Sequence, residues 1–179
     1  MAESQRRVLW AYRGLYVVLA GFLIFLRLLP IDTEPVRWPG PDLLLGFTFA
    51  WVLRRPEYVP ALLIAAVILL EDFLVMRPPG LWTVIVLLGA EFLRGRVVFL
   101  REVGFLTEWL MVSIVMLACF LAYRLAFAVT FLALPEFGFV VPRVLGSILA
   151  YPVVVAISAL FLGLRKAAPG EINSLGKRL

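Results

Sequence analysis

The sequence predicts an all-α integral membrane protein, a compact bundle of six transmembrane helices with both termini in the cytoplasm. Three observations predict it. The first is composition: of 179 residues, 63% are hydrophobic and only 16% are charged. A soluble domain is about 45–50% apolar and about 25% charged, so this chain lacks the polar residues to cover a surface in water. The mean hydropathy of +1.01 agrees. The second is pattern. The apolar residues fall in six continuous runs without strand alternation, and a helix is the structure that satisfies its own backbone in lipid. The third is charge. With the N-terminus inside, twelve of the 17 Lys and Arg residues fall on the cytoplasmic side, four fall outside, and Arg124 is unassigned. The positive-inside rule requires such a bias, and a five-helix thread would move Arg165, Lys166, Lys177 and Arg178 outside.

The expected helices are 8–29, 41–53, 57–76, 80–96, 103–128 and 142–164, in a single membrane domain over 1–179 with a polar tail at 167–179. The first follows a basic start and could mimic a signal peptide. Its apolar run from Val8 to Leu29 exceeds a typical signal core, and Pro30, Ile31 and Asp32 follow it instead of a small-residue cleavage site. It is therefore read as a retained helix. The second starts after Pro41 with Asp42, an acid at the positive end of the helix dipole, and stops at Arg54 and Arg55. Glu57 after Pro56 is expected to repeat that device for the third, which closes at Arg77-Pro78-Pro79-Gly80. The fourth ends at Arg94. The fifth is apolar from Val103 to Leu134, and the sixth ends at Arg165 and Lys166.

A spanning helix needs about 20 residues, and the core runs 42–53 and 81–93 are shorter. They can lengthen toward Trp38 and past Arg94 if the arginines snorkel. Otherwise four or five crossings with re-entrant pieces remain. The outer loop Pro30–Pro41 is too short for a soluble domain.

Composition excludes several chemistries. There is no histidine and only one cysteine, which removes His-based triads, His metal sites, haem ligation by His and internal disulfides. Cys119 lies in the apolar run Met111–Leu121 and reads as a small core residue. The net charge of +5 is assigned to membrane orientation and not to nucleic acid. No phosphate-cradling glycine loop, metal-ligand spacing or nucleophile beside a base is present, so no catalytic residue, cofactor or metal is expected.

Ionisable groups at membrane depth are costly and therefore informative. Glu71 and Asp72 fall near the outer end of the third helix. They either contact a partner or an ion path, or pair with Arg77, Arg27 or Arg143 at the same level. Glu91 and Arg94 have the spacing of an intrahelical pair. Glu108 beside Trp109 reads as an interfacial anchor. Arg124 reaches the outer surface if its helix starts at Val103, which is the expected placement. It is embedded and needs Asp72 or Glu71 if the helix starts nearer Trp109. Small residues four apart, Ala61/Ala65, Gly146/Ala150 and Ala159/Gly163, suit close helix packing.

The order of features carries a resemblance. An inside-starting helix leads to a short outer loop, Pro41-Asp42 opens the second helix, and Arg55-Pro56 ends it. Asp72 sits in LLEDFLV before the turn at Gly80, and Tyr151-Pro152 stands in the last helix after Pro142-Arg143. From Val8 to Lys166 this resembles the MreD family of bacterial rod shape-determining membrane proteins. The chain departs from that pattern where Ala65-Ala66-Val67 replaces glycines before the acid and where Arg77-Pro78-Pro79-Gly80 replaces a simple glycine turn.

The resemblance implies a fold similar to the six-helix substrate-binding subunits of vitamin transporters. It implies residence in the bacterial cytoplasmic membrane and a scaffold role in lateral cell-wall elongation. The implied partners are a membrane-anchored MreC-like protein, a RodA-type glycosyltransferase, a class B penicillin-binding transpeptidase and the MreB filament. Candidate partner contacts are Asp42, Glu71, Asp72, Arg77, Arg124, Tyr151 and Pro152. Two other functions compete: a small transporter or vitamin-binding subunit with the short segments as half-helices around a midplane site, and a lipid-modifying enzyme using Glu71, Asp72 and Arg77.

Overall fold

A computed structural model describes residues 2–29, 40–130 and 137–161. Among these the chain is helical throughout, without strands. The helices are α1 (Ala2–Leu28), α2 (Leu43–Arg54), α3 (Ala61–Leu74), α4 (Leu81–Arg94), α5 (Val97–Glu102), α6 (Phe105–Val129) and α7 (Phe137–Phe161). Within them, Gln5–Leu28, Phe105–Val129 and Val140–Phe161 are long and apolar enough to cross a membrane. Much of the outside is apolar, with Leu62, Met76, Leu160 and Phe161 all more than three-quarters exposed. These features mark a membrane protein.

Six of the seven helices coincide with the six apolar runs, and the differences have local causes. The third begins at Ala61 instead of Glu57, because residues 56–59 form a turn and Pro60 takes the N-cap position with extended backbone (ψ 155°). Glu57 therefore does not repeat the role of Asp42. The fourth stops at Arg94, and the separate helix α5 occupies part of the stretch between it and α6. The first helix starts earlier than expected, at Ala2, and the last runs from Phe137 with Pro142 and Pro152 inside it. The outer loop at 30–39, Gly163 and the tail 167–179 lie outside the described residues.

The short second run proves to be the centre of the molecule. Every residue of α2 from Leu44 to Arg54 is buried, with α1, α4, α5 and α7 packed around it. Twelve residues make a helix only ~18 Å long, against a hydrocarbon layer of ~30 Å. Its neighbours, not its own length, keep its ends from lipid. Asp42 caps its start, with Oδ1 accepting from the Leu45 amide at 3.2 Å. Arg55, preceding Pro56, leaves the helical conformation (φ −146°, ψ 76°) and ends it.

Aromatic packing fixes α1 on this centre. The Tyr16 ring stacks on Phe47 at 5.4 Å and leans on Trp51 at 5.5 Å, while its hydroxyl hydrogen-bonds the Thr48 hydroxyl at 2.9 Å. On the other side Gly89 lets α4 approach. A Cβ there would stand 3.0 Å from both Cys119 Sγ and Phe49 Cζ. Cys119 is thus a packed core residue, as its sequence context suggests. Gly146 on α7 lies against Pro41, where a Cβ would make an ordinary contact at 3.5 Å.

The α3–α4 turn closes with a left-handed residue. Met76 has φ 55°, the Arg77 amide donates to the Asp72 carbonyl at 3.0 Å, and the Met76 amide donates to Phe73 at 3.3 Å. This is a Schellman ending with methionine where glycine is usual.

Candidate functional site

Charged groups gather at both ends of α2. At its N-terminal end Asp42, 2% exposed, meets residues from α1, α7 and the α3–α4 turn. Its Oδ2 accepts from Arg143 Nη2 of α7 at 2.8 Å and from Arg27 Nη1 of α1 at 3.4 Å. Arg77 Nη2, in the α3–α4 turn, approaches it at 3.9 Å. The Asp42 amide donates to Ser147 Oγ at 2.7 Å, and that hydroxyl donates onward to the Arg143 carbonyl at 2.7 Å.

Glu71 and Asp72 on α3 complete the group. Glu71 Oε1 accepts from Arg27 Nη1, and from Arg77 Nη2 at 3.4 Å. Asp72 does different work. Its Oδ2 accepts from the Gly80 amide at 3.2 Å, the Thr83 amide at 3.1 Å and the Thr83 hydroxyl at 2.8 Å. It caps the N-terminus of α4 from the neighbouring helix, because Gly80, at φ 88°, brings no side chain of its own. Three acids thus face three arginines. The arginines keep a way to the surface, with side chains of Arg27 and Arg143 each 26% exposed and Arg77 11%.

The other end of α2 is closed. Arg54 Nη1 donates to Glu108 Oε1 of α6 at 2.6 Å, with the two side chains 5% and 0% exposed. Tyr151 of α7 donates its hydroxyl to the same Oε1 at 2.8 Å. Glu108, 0% exposed, is therefore no interfacial anchor. The indole Nε1 of Trp109 donates to the Ile148 carbonyl at 2.9 Å. That carbonyl lies four residues before Pro152, which has no N–H to give it, so proline frees the acceptor that tryptophan takes. Tyr151-Pro152 thus ties α7 to α6 twice.

Beyond this end, Arg94 binds the chain that enters α3. It donates to the Pro56 and Val59 carbonyls at 2.8 and 2.7 Å and to Glu91 at 2.9 Å, which bears out the expected intrahelical pair. Arg13 reaches the Glu57 carbonyl at 3.4 Å, and Tyr12 stacks on Tyr58 with centroids 4.5 Å apart.

Of the sequence candidates, Asp42, Glu71, Asp72 and Arg77 come together. Tyr151 and Pro152 belong to the Arg54 end. Arg124 is half-buried in α6, which starts at Phe105, close to the longer of the two expected helices. Sequence reasoning missed Arg54, Glu108, Ser147 and Thr83 as members of these groups. Among the described residues no three acid or cysteine side chains are placed to hold a metal. Chemically the arrangement ties helices together through ion pairs and caps. Comparison with protein-family models, with curated proteins and with solved structures returns no match for this chain.

Proposed function

We propose that this chain is a non-catalytic membrane scaffold of the MreD type, acting beside an MreC-like protein in the bacterial machinery that extends the lateral cell wall. The observation that carries the reading is where the buried charge goes. Asp42, Asp72, Arg54 and Glu108 each serve a helix cap or an inter-helix pair, which makes a rigid body whose outside is apolar and available to neighbours in the bilayer. The resemblance of Pro41-Asp42, the Asp72 stretch and Tyr151-Pro152 to the family pattern adds to this. Each of those motifs holds a joint between helices here. Two grooves on the bundle, one between α4 and α6 and one between α1 and α7, are lined almost wholly by apolar side chains. They suit lipid or helix neighbours better than the polar metabolite an uptake protein would carry.

The orientation belongs to the same proposal. Both termini face the cytoplasm, the Asp42 cluster faces outward, and α2, α3 and α4 complete six crossings inside a sheath of longer helices. The Asp42 cluster joins the end of α1, the start of α2, the end of α3, the start of α4 and the first half of α7, an up-and-down alternation that supports this thread. Depleting the protein from a rod-shaped host is expected to round the cells, and rods that persist after full depletion would overturn the scaffold reading. A tag on Leu179 is expected to stay protected in intact cells, and labelling from outside would overturn the six-crossing thread.

A further inference from the structure

The helices α3 and α4 are nearly as short as α2 but lack its shelter. Each has 14 residues and so is ~21 Å long, against ~38 Å for the 25 residues of α6 or of α7. Around α2, α3 lies between α1 and α4, and α4 between α3 and α6. The sheath is therefore short on this flank, and the flank is bare. Leu62, Leu70 and Phe73 of α3 and Val84 and Leu88 of α4 are exposed. Charge limits this apolar band at both ends. At one end stand Arg77 and the acids it meets. At the other stands Glu91, 44% exposed and held by Arg94 at 2.9 Å. Val84, Leu88 and Glu91 have the spacing of a single helix face, so the outward stripe of α4 ends in a carboxylate, which hydrocarbon does not accommodate. In the first turn of α4, Trp82 packs on Phe120 and Tyr123 of α6, with ring centroids 5.2 and 5.4 Å apart. From Tyr123, α6 runs on to Val129, ~9 Å further, with Leu125 and Val129 exposed. The missing length thus lies at the Gly80 end. We infer that the α3–α4 flank is an interface with thinned bilayer, taking phospholipid whose hydrocarbon is compressed to ~20 Å while α6 and α7 meet a layer of ordinary depth.

Length selects the occupant. Tilt fits a long helix to a thinner layer but cannot stretch a short one. A neighbouring helix of ordinary spanning length, ~30 Å, would lay its apolar ends against Arg77 or against Glu91 and Arg94. Acyl chains shorten instead, at a modest cost per ångström. A second copy would match in length, but two-fold pairing sets like against like, and it would bring the exposed charges of Glu91 and Arg96 to the seam. The inference rests on α3 and α4 crossing the bilayer, and it stands whatever the wall machinery turns out to be.

The test uses the full chain reconstituted in dioleoylphosphatidylcholine, with one nitroxide label on each of Leu62→Cys, Leu70→Cys, Met76→Cys and Leu125→Cys. All four positions are exposed, so a label leaves the packing in place, and the unsubstituted chain, whose Cys119 is buried, is the blank. Depth is read from the ratio of collisions with oxygen, which favours hydrocarbon, to collisions with a water-soluble nickel chelate. The labels at 62 and 76 are expected at headgroup depth, and the label at 70 in hydrocarbon with a severalfold higher ratio. The label at 125 is expected deeper than that at 76. A label at 62 or 76 deep in hydrocarbon overturns the inference, as does a label at 125 no deeper than that at 76. Labels at 62, 70 and 76 shielded from both reagents overturn it in favour of a second copy on this flank. Those three labels at a single depth mean that α3 lies along the surface, which overturns the crossing itself together with the thinning.

Discussion

The two ends of α2 answer one problem in different ways. A helix of twelve residues buried in a bilayer protein must dispose of a charged residue at each end. At Asp42 the solution is collective: three arginines and three acids share contacts, several beyond 3 Å, and the arginines stay in touch with the surface. At Arg54 the solution is a close pair with Glu108, joined by the Tyr151 hydroxyl and shut off from solvent. Both obey the helix dipole, with the acid at the positive end and the arginine at the negative end. The lesson is that redundancy and closure are alternatives. A shared cluster tolerates the loss of one member and stays reachable, whereas a close, fully buried pair is strong only while both members are present.

The largest expected effect breaks the closed end. Arg54→Ala removes the cation 2.6 Å from the buried Glu108 carboxylate and should cost about 3–5 kcal/mol, read as a loss of unfolding free energy in mixed detergent micelles. Arg27→Ala at the open end should cost only about 1.5 kcal/mol, the low end for a hydrogen bond to a charged group, because Arg77 still serves Glu71 and Arg143 still serves Asp42. Equal losses in the two variants would abolish the distinction. Salt sharpens it further. Raising ionic strength should shrink the Arg27→Ala effect and leave the Arg54→Ala effect almost unchanged, since only the exposed charges are screened.

Asp72 tests whether the open cluster also builds structure. Asp72→Ala strips the cap from α4 and should cost about 1–3 kcal/mol, with the first turn of α4 gaining hydrogen exchange. Unaltered exchange at Thr83 would show that the cap is idle. Trp109→Phe should also cost about 1–2 kcal/mol in the native chain by orphaning the Ile148 carbonyl. In the Pro152→Ala background the loss should fall, because an alanine N–H can take that carbonyl. Additive losses would mean that proline and tryptophan are unrelated. The smallest effect is a gain: Met76→Gly should stabilise the α3–α4 turn by about 1 kcal/mol by relieving the left-handed strain, and a loss would mean that the exposed methionine makes contacts of its own.

Sequence made the helices legible and their depths illegible. Asp42 after Pro41 announced a cap, and Glu91 with Arg94 announced a pair, because both depend on neighbours along the chain. Glu108 misled because an acid just before an apolar run looks the same whether it meets water or an arginine 54 residues away. The Asp72 cap on α4 was hidden for a similar reason, since the acid serves another helix. Arg27 and Arg143 could be placed at one level with the acids, but which acid each would meet required the packing. The run at 42–53 looked too short to cross a membrane because length was judged against lipid, and α2 is surrounded by protein instead. Gly89 carried no periodic signal, and its role depends on Phe49 and Cys119 arriving from two other helices.

The sheathing of α2 sets the order in which the chain can be made. Its companions Arg143, Ser147 and Tyr151 belong to α7, about 100 residues downstream of Asp42, and Glu108 of α6 comes about two-thirds of the way there. During synthesis the middle of the protein therefore waits, charged at both tips, until the last segment arrives to enclose it. A chain stopped after α6 would lack the Arg143, Ser147 and Tyr151 contacts that enclose that centre, so the enclosure of α2 waits on the docking of α7.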